Sequence, residues 1–206
     1  MNISREHLEL LSESFRNIDE TTKEIINLEA ILSLPKGTEH FLSDIHGEYE
    51  AFDHILRNGS GVIKEKLKEV FGNRLPKKEL NLLATIIYYP EEKLNLLKKE
   101  FSTAEYKEYQ KILLLRLLEV TQVAARKYTR SKVRKLLPKD FDYIIEELLY
   151  KMQTRDKEDY YEKILENIIE LGAGDKFIIE LSLSIHKLII DHLHIVGDVY
   201  DRGPLP

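Results

Sequence analysis

Cysteine is absent from the 206 residues, so neither a disulfide framework nor a thiolate metal site can form. Any metal must be held by oxygen and nitrogen, and the lack of thiols fits a reducing compartment. Glycine and proline are scarce, at nine and six residues, and there is no repeat or low-complexity tract. A chain with so few breakers is mostly regular structure, and here mostly helix. No apolar run approaches the roughly 18 residues of a membrane span. The segment from Met1 to Asp19 is acidic and amphipathic, without the features of a signal peptide. The cytoplasm is the expected location, with no membrane association. A cationic excess is also missing: the net charge is −5, which repels nucleic acid and acidic membranes overall and makes nucleic acid a disfavoured partner.

Charged residues of both signs make up 33% of the chain, and the 43% hydrophobic content is ample for a packed core. Ser4 is placed to cap a first helix carrying Leu8, Leu11, Phe15 and Ile18 at three- and four-residue spacing. A second helix with Ile25, Ile26, Leu28, Ile31 and Leu32 runs until Pro35 and Gly37. Residues 1–36 are thus expected to form a helical hairpin that covers a core. At 40–43 the period changes to that of a short strand, His40-Phe41-Leu42-Ser43, followed at once by polar residues. Gly47 lets the chain turn into a helix that carries Ala51, Phe52, Ile55 and Leu56, and Asn58-Gly59-Ser60-Gly61 ends it.

Strand, polar loop and helix are the first half of a βαβ unit, whose second strand usually follows soon. Here a helical insertion over 62–187 intervenes, with helix starts expected at Pro76, Pro90 and Pro138. One long helix is expected over 106–128, another over 160–171 ending at Gly172. A last amphipathic helix with Phe177, Ile178, Leu181, Ile185, Leu188 and Ile189 then leads into a strand at 193–197. The fold class is α/β but predominantly helical in this chain. An incomplete two-strand core at 37–61 and 188–206 is interrupted by the all-helical insertion.

Each strand ends in chemistry. Asp44 and His46, one residue apart after the first strand, can offer one cation a carboxylate oxygen and an imidazole nitrogen, which suits Mn²⁺, Fe²⁺ or Zn²⁺ better than Ca²⁺. Gly197-Asp198-Val199-Tyr200-Asp201-Arg202-Gly203 puts another carboxylate at the end of the neighbouring strand. Asp198 is placed to bridge two metals, which would lower the pKa of a shared water to give a hydroxide nucleophile. Asp201 would orient a ligand or the guanidinium, and Arg202 offers a donor fork to a phosphoryl group. The spacing thus points to metal-dependent phosphate-ester hydrolysis at two adjacent strand ends.

His40, His54, His186, His192 and His194 have no carboxylate partner at a diagnostic spacing, except that Asp191-His192 and His192-x-His194 lie near the second strand, where alternation puts His192 and His194 on one face; all five read as hydrogen-bonded structural residues. Tyr88-Tyr89 and Tyr160-Tyr161 read as packing residues. Six cations fall within 126–135. They read as a solvated helix end balanced by Glu146 and Glu147, with an anionic effector as the alternative.

Asp44-x-His46 with Gly197-Asp198-x-x-Asp201-Arg202-Gly203 resembles the first two motifs of the calcineurin-like metallophosphatases, which include the protein serine/threonine phosphatases. The text at 24–28, 34–41, 58–61, 127–132 and 191–198 is similar to one branch, the bacterial class III fructose-1,6-bisphosphatases, and the likeness runs over essentially the whole chain. The resemblance implies the N-terminal part of a metallophosphatase sheet sandwich. It also implies Mn²⁺-dependent removal of the 1-phosphate from fructose 1,6-bisphosphate to give fructose 6-phosphate in gluconeogenesis. By motif match, Asp44 and His46 correspond to ligands of one metal, Asp198 to the bridging ligand and Arg202 to a phosphate contact.

The family's third motif, Gly-Asn-His-Asp/Glu, does not occur in these 206 residues. Members of the family are much longer, so this chain is expected to be an N-terminal portion, with weak metal binding and little or no turnover by itself. Two alternatives stand beside it: a phosphoprotein phosphatase or nuclease using the same site, or a non-catalytic helical interaction remnant. A homo-oligomer is left open.

Overall fold

A computed structural model describes residues 4–150 and 157–200. Contacts divide the chain into two compact units, Met1–Lys36 and Gly37–Pro206. The first holds α1 (Arg5–Ser14) and α2 (Ile18–Leu32). Ser4 caps α1 as expected, its Oγ accepting the His7 N–H at 3.2 Å. Ile18, however, opens α2 and does not close α1. Asn17 starts the new helix by accepting the Glu20 N–H at 2.8 Å, while the Glu20 carboxylate accepts the Arg16 N–H at 3.0 Å. No residue of either helix is buried, and apolar side chains such as Leu8, Ile25 and Leu28 are exposed.

The second unit begins with β1 (Glu39–Ser43) and α3 (Tyr49–Asn58). It continues through α4 (Val62–Phe71), α5 (Lys77–Tyr88), α6 (Pro90–Glu100) and α7 (Thr103–Ala125). After these come α8 (Arg130–Leu136), α9 (Asp142–Leu149), α10 (Glu158–Glu170), α11 (Gly174–Ile189) and β2 (His192–Val196). Pro76 and Pro90 stand at helix starts, where a missing N–H costs nothing. Pro138 does not: it follows α8, four residues before α9 begins. Among the described residues no helix is long and apolar enough to cross a membrane.

Helix α7 is anchored by a capping box, in which Ser102 and Glu105 satisfy each other's backbone N–H groups. It packs against α11, and the two supply much of the buried core: Leu113, Leu117, Val120 and Ala124 from one, Phe177, Ile178, Leu181, Ile185 and Leu188 from the other. The hydroxyls buried between them bond back along their own helices, Thr121 to the Leu117 carbonyl and Ser182 to that of Ile178. At Gly174 a Cβ would lie 2.7 Å from the Gln110 amide nitrogen, so the small residue allows α11 to start close against α7.

On α11, burial pushes the His186 imidazole down to about 4, the nearby Arg57 cation adds to this, and a hydrogen bond to the Ile87 backbone opposes it. Above the unfolded value of about 6.5 both states are neutral and the ring has no pH-dependent effect. As pH falls below it, the unfolded chain takes up a proton that the folded chain refuses, so stability is lost as pH falls from about 6.5 towards 4. Between pH 7.5 and 5 this amounts to about 2 kcal/mol. Urea unfolding at the two pH values is expected to show that loss in the wild type and its removal in His186→Leu; equal pH dependence in the two proteins would refute the assignment.

Strands β1 and β2 pair in parallel, with Glu39 opposite His192 and Ser43 opposite Val196. The expected picture of two strands joined by a long helical detour therefore holds, and the described residues contain this two-stranded sheet and no other.

Candidate metal centre at the two strand ends

After Ser43 the chain reverses sharply. Asp44, His46 and Gly47 have φ of +52°, +49° and +67°, in the left-handed region that favours glycine. Two non-glycine residues there cost of the order of 1–3 kcal/mol each, a strain of the kind held at functional sites. The result is a tight turn that presents both side chains at the end of β1, immediately before α3.

The end of β2 meets this turn. The His46 N–H donates to the Asp198 carbonyl at 3.3 Å and the Gly47 N–H to that of Val199 at 2.9 Å. In return the Asp198 N–H donates to Asp44 Oδ1 at 3.4 Å, joining residues 154 positions apart in the chain. Gly197, at φ +105°, lies against Asp44: a Cβ there would overlap the carboxylate, reaching Cγ and the Asp44 nitrogen at 3.3 Å. This glycine is required both by its backbone conformation and by the carboxylate beside it.

Asp44 and Asp198 are exposed and His46 is half-buried, at the carboxyl ends of adjacent parallel strands, where open α/β sheets hold their ligands. Two carboxylates and an imidazole on hydrogen-bonded turns are a donor set of the right chemistry for a borderline divalent cation. Among the described residues no group of three His, Asp or Glu side chains is close enough together to hold a metal ion, so the turns converge further than their side chains do. Asp201 and Arg202 lie outside the described residues.

The other histidines are engaged structurally. The His40 Nδ1 lies 3.1 Å from the Ser60 hydroxyl, and His54 Nδ1 lies 2.6 Å from the Tyr89 hydroxyl. His194 stacks on Phe41 at 4.5 Å, with its ring 6.4 Å from that of His192 on the same strand face.

The basic segment is only partly a solvated helix end. Arg134 makes a two-pronged ion pair with Glu146, both bonds 2.8 Å, as its acidic neighbour suggested. Lys127 and Lys132 instead reach Asp191, whose side chain is 3% exposed. Burial alone would raise the Asp191 carboxyl, but bonds from Lys127, Tyr128 and the Thr38 N–H hold it well below the usual carboxylate range. In the sequence Asp191 stands out only as the neighbour of His192, with no role of its own. The available signal was a lone carboxylate directly after Leu188-Ile189-Ile190, since a charge beside an apolar run needs a partner.

A cleft of about 750 Å³ between α7 and α10, lined in part by Tyr109, Ile112, Lys163 and Ile169, shares no residue with the strand ends. Its lysines are matched by glutamates, as in Lys107 with Glu170 and Lys111 with Glu162.

Known proteins carry similar sequences over nearly the whole of this chain. A family model described as Firmicute fructose-1,6-bisphosphatase matches residues 6–206. Among curated relatives named fructose-1,6-bisphosphatase class 3, that of Alkaliphilus metalliredigens is 59% identical over 201 residues, 97% of this chain and 30% of the relative. That of Listeria monocytogenes serotype 4b is 56% identical over 205 residues, 99% of this chain and 31% of the relative. That of Fusobacterium nucleatum is 53% identical over 207 residues, covering all of this chain and 32% of the relative. The chain thus spans about a third of the length of the curated relatives it matches. No solved structure matches it. With the family's model matched over nearly every residue, the chain belongs to the Firmicute fructose-1,6-bisphosphatase family.

Proposed function

We propose that this chain supplies one part of the active site of an enzyme that hydrolyses the 1-phosphate of fructose 1,6-bisphosphate, and that by itself it turns over little or no substrate. The observation that carries the reading is the parallel pairing that zips the Asp44–Gly47 turn to the Asp198–Val199 turn. The relatives' names supply the substrate.

In this reading Asp44, His46 and Asp198 hold Mn²⁺, which when bound supplies Lewis acidity and an activated water. The protein's own contribution is positional. The left-handed turn holds Asp44 and His46 together, Gly197 leaves room for the Asp44 carboxylate, and the cross-turn hydrogen bonds set where Asp198 stands. Arg202 is assigned to a phosphate oxygen and Asp201 to orienting that guanidinium. With these three ligands at most, the 206-residue polypeptide is expected to bind metal weakly.

A chimera tests this directly. Grafted in place of the matching segment of the Listeria monocytogenes enzyme, the chain is expected to support Mn²⁺-dependent phosphate release from fructose 1,6-bisphosphate but not from phosphopeptides or DNA ends. Asp44→Asn or Asp198→Asn is expected to lower that release by a factor of about 100 or more, the scale of losing a charge-stabilising group. A chimera whose rate ignores both substitutions, or that prefers phosphopeptides, would overturn the proposal.

A further inference from the structure

The described part of the sheet has two strands, and β2 is exposed along its whole length. Only His40 of β1 is buried in the pair, so burial of side chains does little to set the register of β2. A slip of one residue would move Asp198 about 3.3 Å along Asp44 and flip every side chain of the strand. A set of contacts able to fix the alignment lies at the opposite end of the strands from the metal turns.

Thr38 directly precedes β1, and Asp191 directly precedes β2. Their backbones are tied together, the N–H groups of Asp191 and His192 both donating to the Thr38 carbonyl at 3.1 and 3.3 Å. The Thr38 N–H donates in return to Asp191 Oδ2 at 2.8 Å. Three further donors come from the α7–α8 junction and the start of α8: Lys127 to Oδ2 at 2.5 Å, Lys132 to Oδ1 at 3.3 Å, and the Tyr128 hydroxyl to Oδ1. Lys127 also reaches the Thr38 hydroxyl at 3.2 Å and the Ile189 carbonyl at 3.1 Å. Gly37 completes the packing, since a Cβ there would lie 2.8 Å from the Asp191 Cγ.

We infer that Asp191 is a positioning residue for the strand-end site: gripped by Lys127, Tyr128 and Lys132 of the helical insertion, it locks Thr38 beside β2 and so sets the register that brings Asp198 against Asp44. The inference assigns the insertion a task and rests on the proposed function only in calling those strand ends a metal site. A carboxylate so buried is tolerated only where its donors converge, so a slipped register, which would strand it, is strongly disfavoured. The same five residues separate Thr38 from the turn at Asp44 and Asp191 from Gly197, so alignment at one end is transmitted rigidly to the other.

Amide hydrogen exchange on the 206-residue protein tests this, with Asp191→Asn and, as a variant that keeps the carboxylate and three of its donors, Lys127→Met. The reporters are the His46, Gly47 and Asp198 amides, which donate across the two turns. The expected result in either variant is exchange at least tenfold faster at these amides, with amides of α7 and α11 within twofold of wild type. Mn²⁺ affinity, read by electron paramagnetic resonance, should weaken at least tenfold in parallel. Turn amides that keep their wild-type rates, or that accelerate only as much as those of α7 and α11, would overturn the inference, because a general stabiliser acts on all of them together. The exchange arm needs neither metal nor substrate. A wild-type chain that binds no Mn²⁺ would count against the proposed function and leave the exchange result to judge Asp191.

Discussion

Gly197→Ala is expected to weaken Mn²⁺ binding at the strand ends by about 10–100-fold, the range for loss of a group that orients a metal ligand, while leaving the helical core intact. Two effects combine. Alanine at φ +105° is strained, and its methyl group would overlap the Asp44 carboxylate, which must leave its place and give up the Asp198 N–H. Gly61→Ala separates the two, because Gly61 has φ +87° but nothing within 4 Å of an added Cβ. It should share the backbone strain and leave metal affinity unchanged. Calorimetric titration of both variants reads the difference, and equal affinities would show that Gly197 does not shape the site.

Phe177→Ala is expected to cost about 3–5 kcal/mol, the usual loss for a buried aromatic ring. In a protein of this size that lowers Tm by about 10 °C. The ring is 1% exposed on the buried face of α11 and packs against Phe141 with centroids 4.2 Å apart. Its removal leaves a cavity in the helix layer that the rest of the second unit packs around. Leu171→Ala serves as the contrast, since Leu171 is 83% exposed and its loss should stay within about 0.5 kcal/mol. Thermal unfolding followed by circular dichroism measures both. A Phe177→Ala cost below 1 kcal/mol would mean that the core lies elsewhere.

The strand ends were legible in the sequence because their signals are local. An apolar run that stops at Asp-x-His-Gly or Gly-Asp reads as a strand feeding a polar turn, and the pairing in the structure puts the two together. The long helices were legible for the same reason, as periodic segments ended by Gly172 or begun by Pro76 and Pro90. What was not legible depends on partners far along the chain. Asp191 is meaningful only once Lys127, Tyr128 and Lys132 are folded onto it from about 60 positions away, and composition alone made those cations look solvated. The break before Ile18 was missed because periodicity continues across it, while the capping by Asn17 and Glu20 interrupts the helix. Pro138 was misplaced because a proline suits the residue after a helix as well as the first turn of one.

In the proposed reading, parallel pairing of two strands far apart in sequence assembles a cation site from the turn at Asp44 and His46 and the turn at Asp198. Adding Mn²⁺ in small steps to isotopically labelled protein and following paramagnetic broadening of the amide resonances tests it most directly. Asp44, Ile45, His46, Gly47 and Asp198 are expected to broaden first and together, and Asp198→Asn to abolish the effect. Broadening that begins on one turn without the other, or elsewhere on the acidic surface, would contradict it.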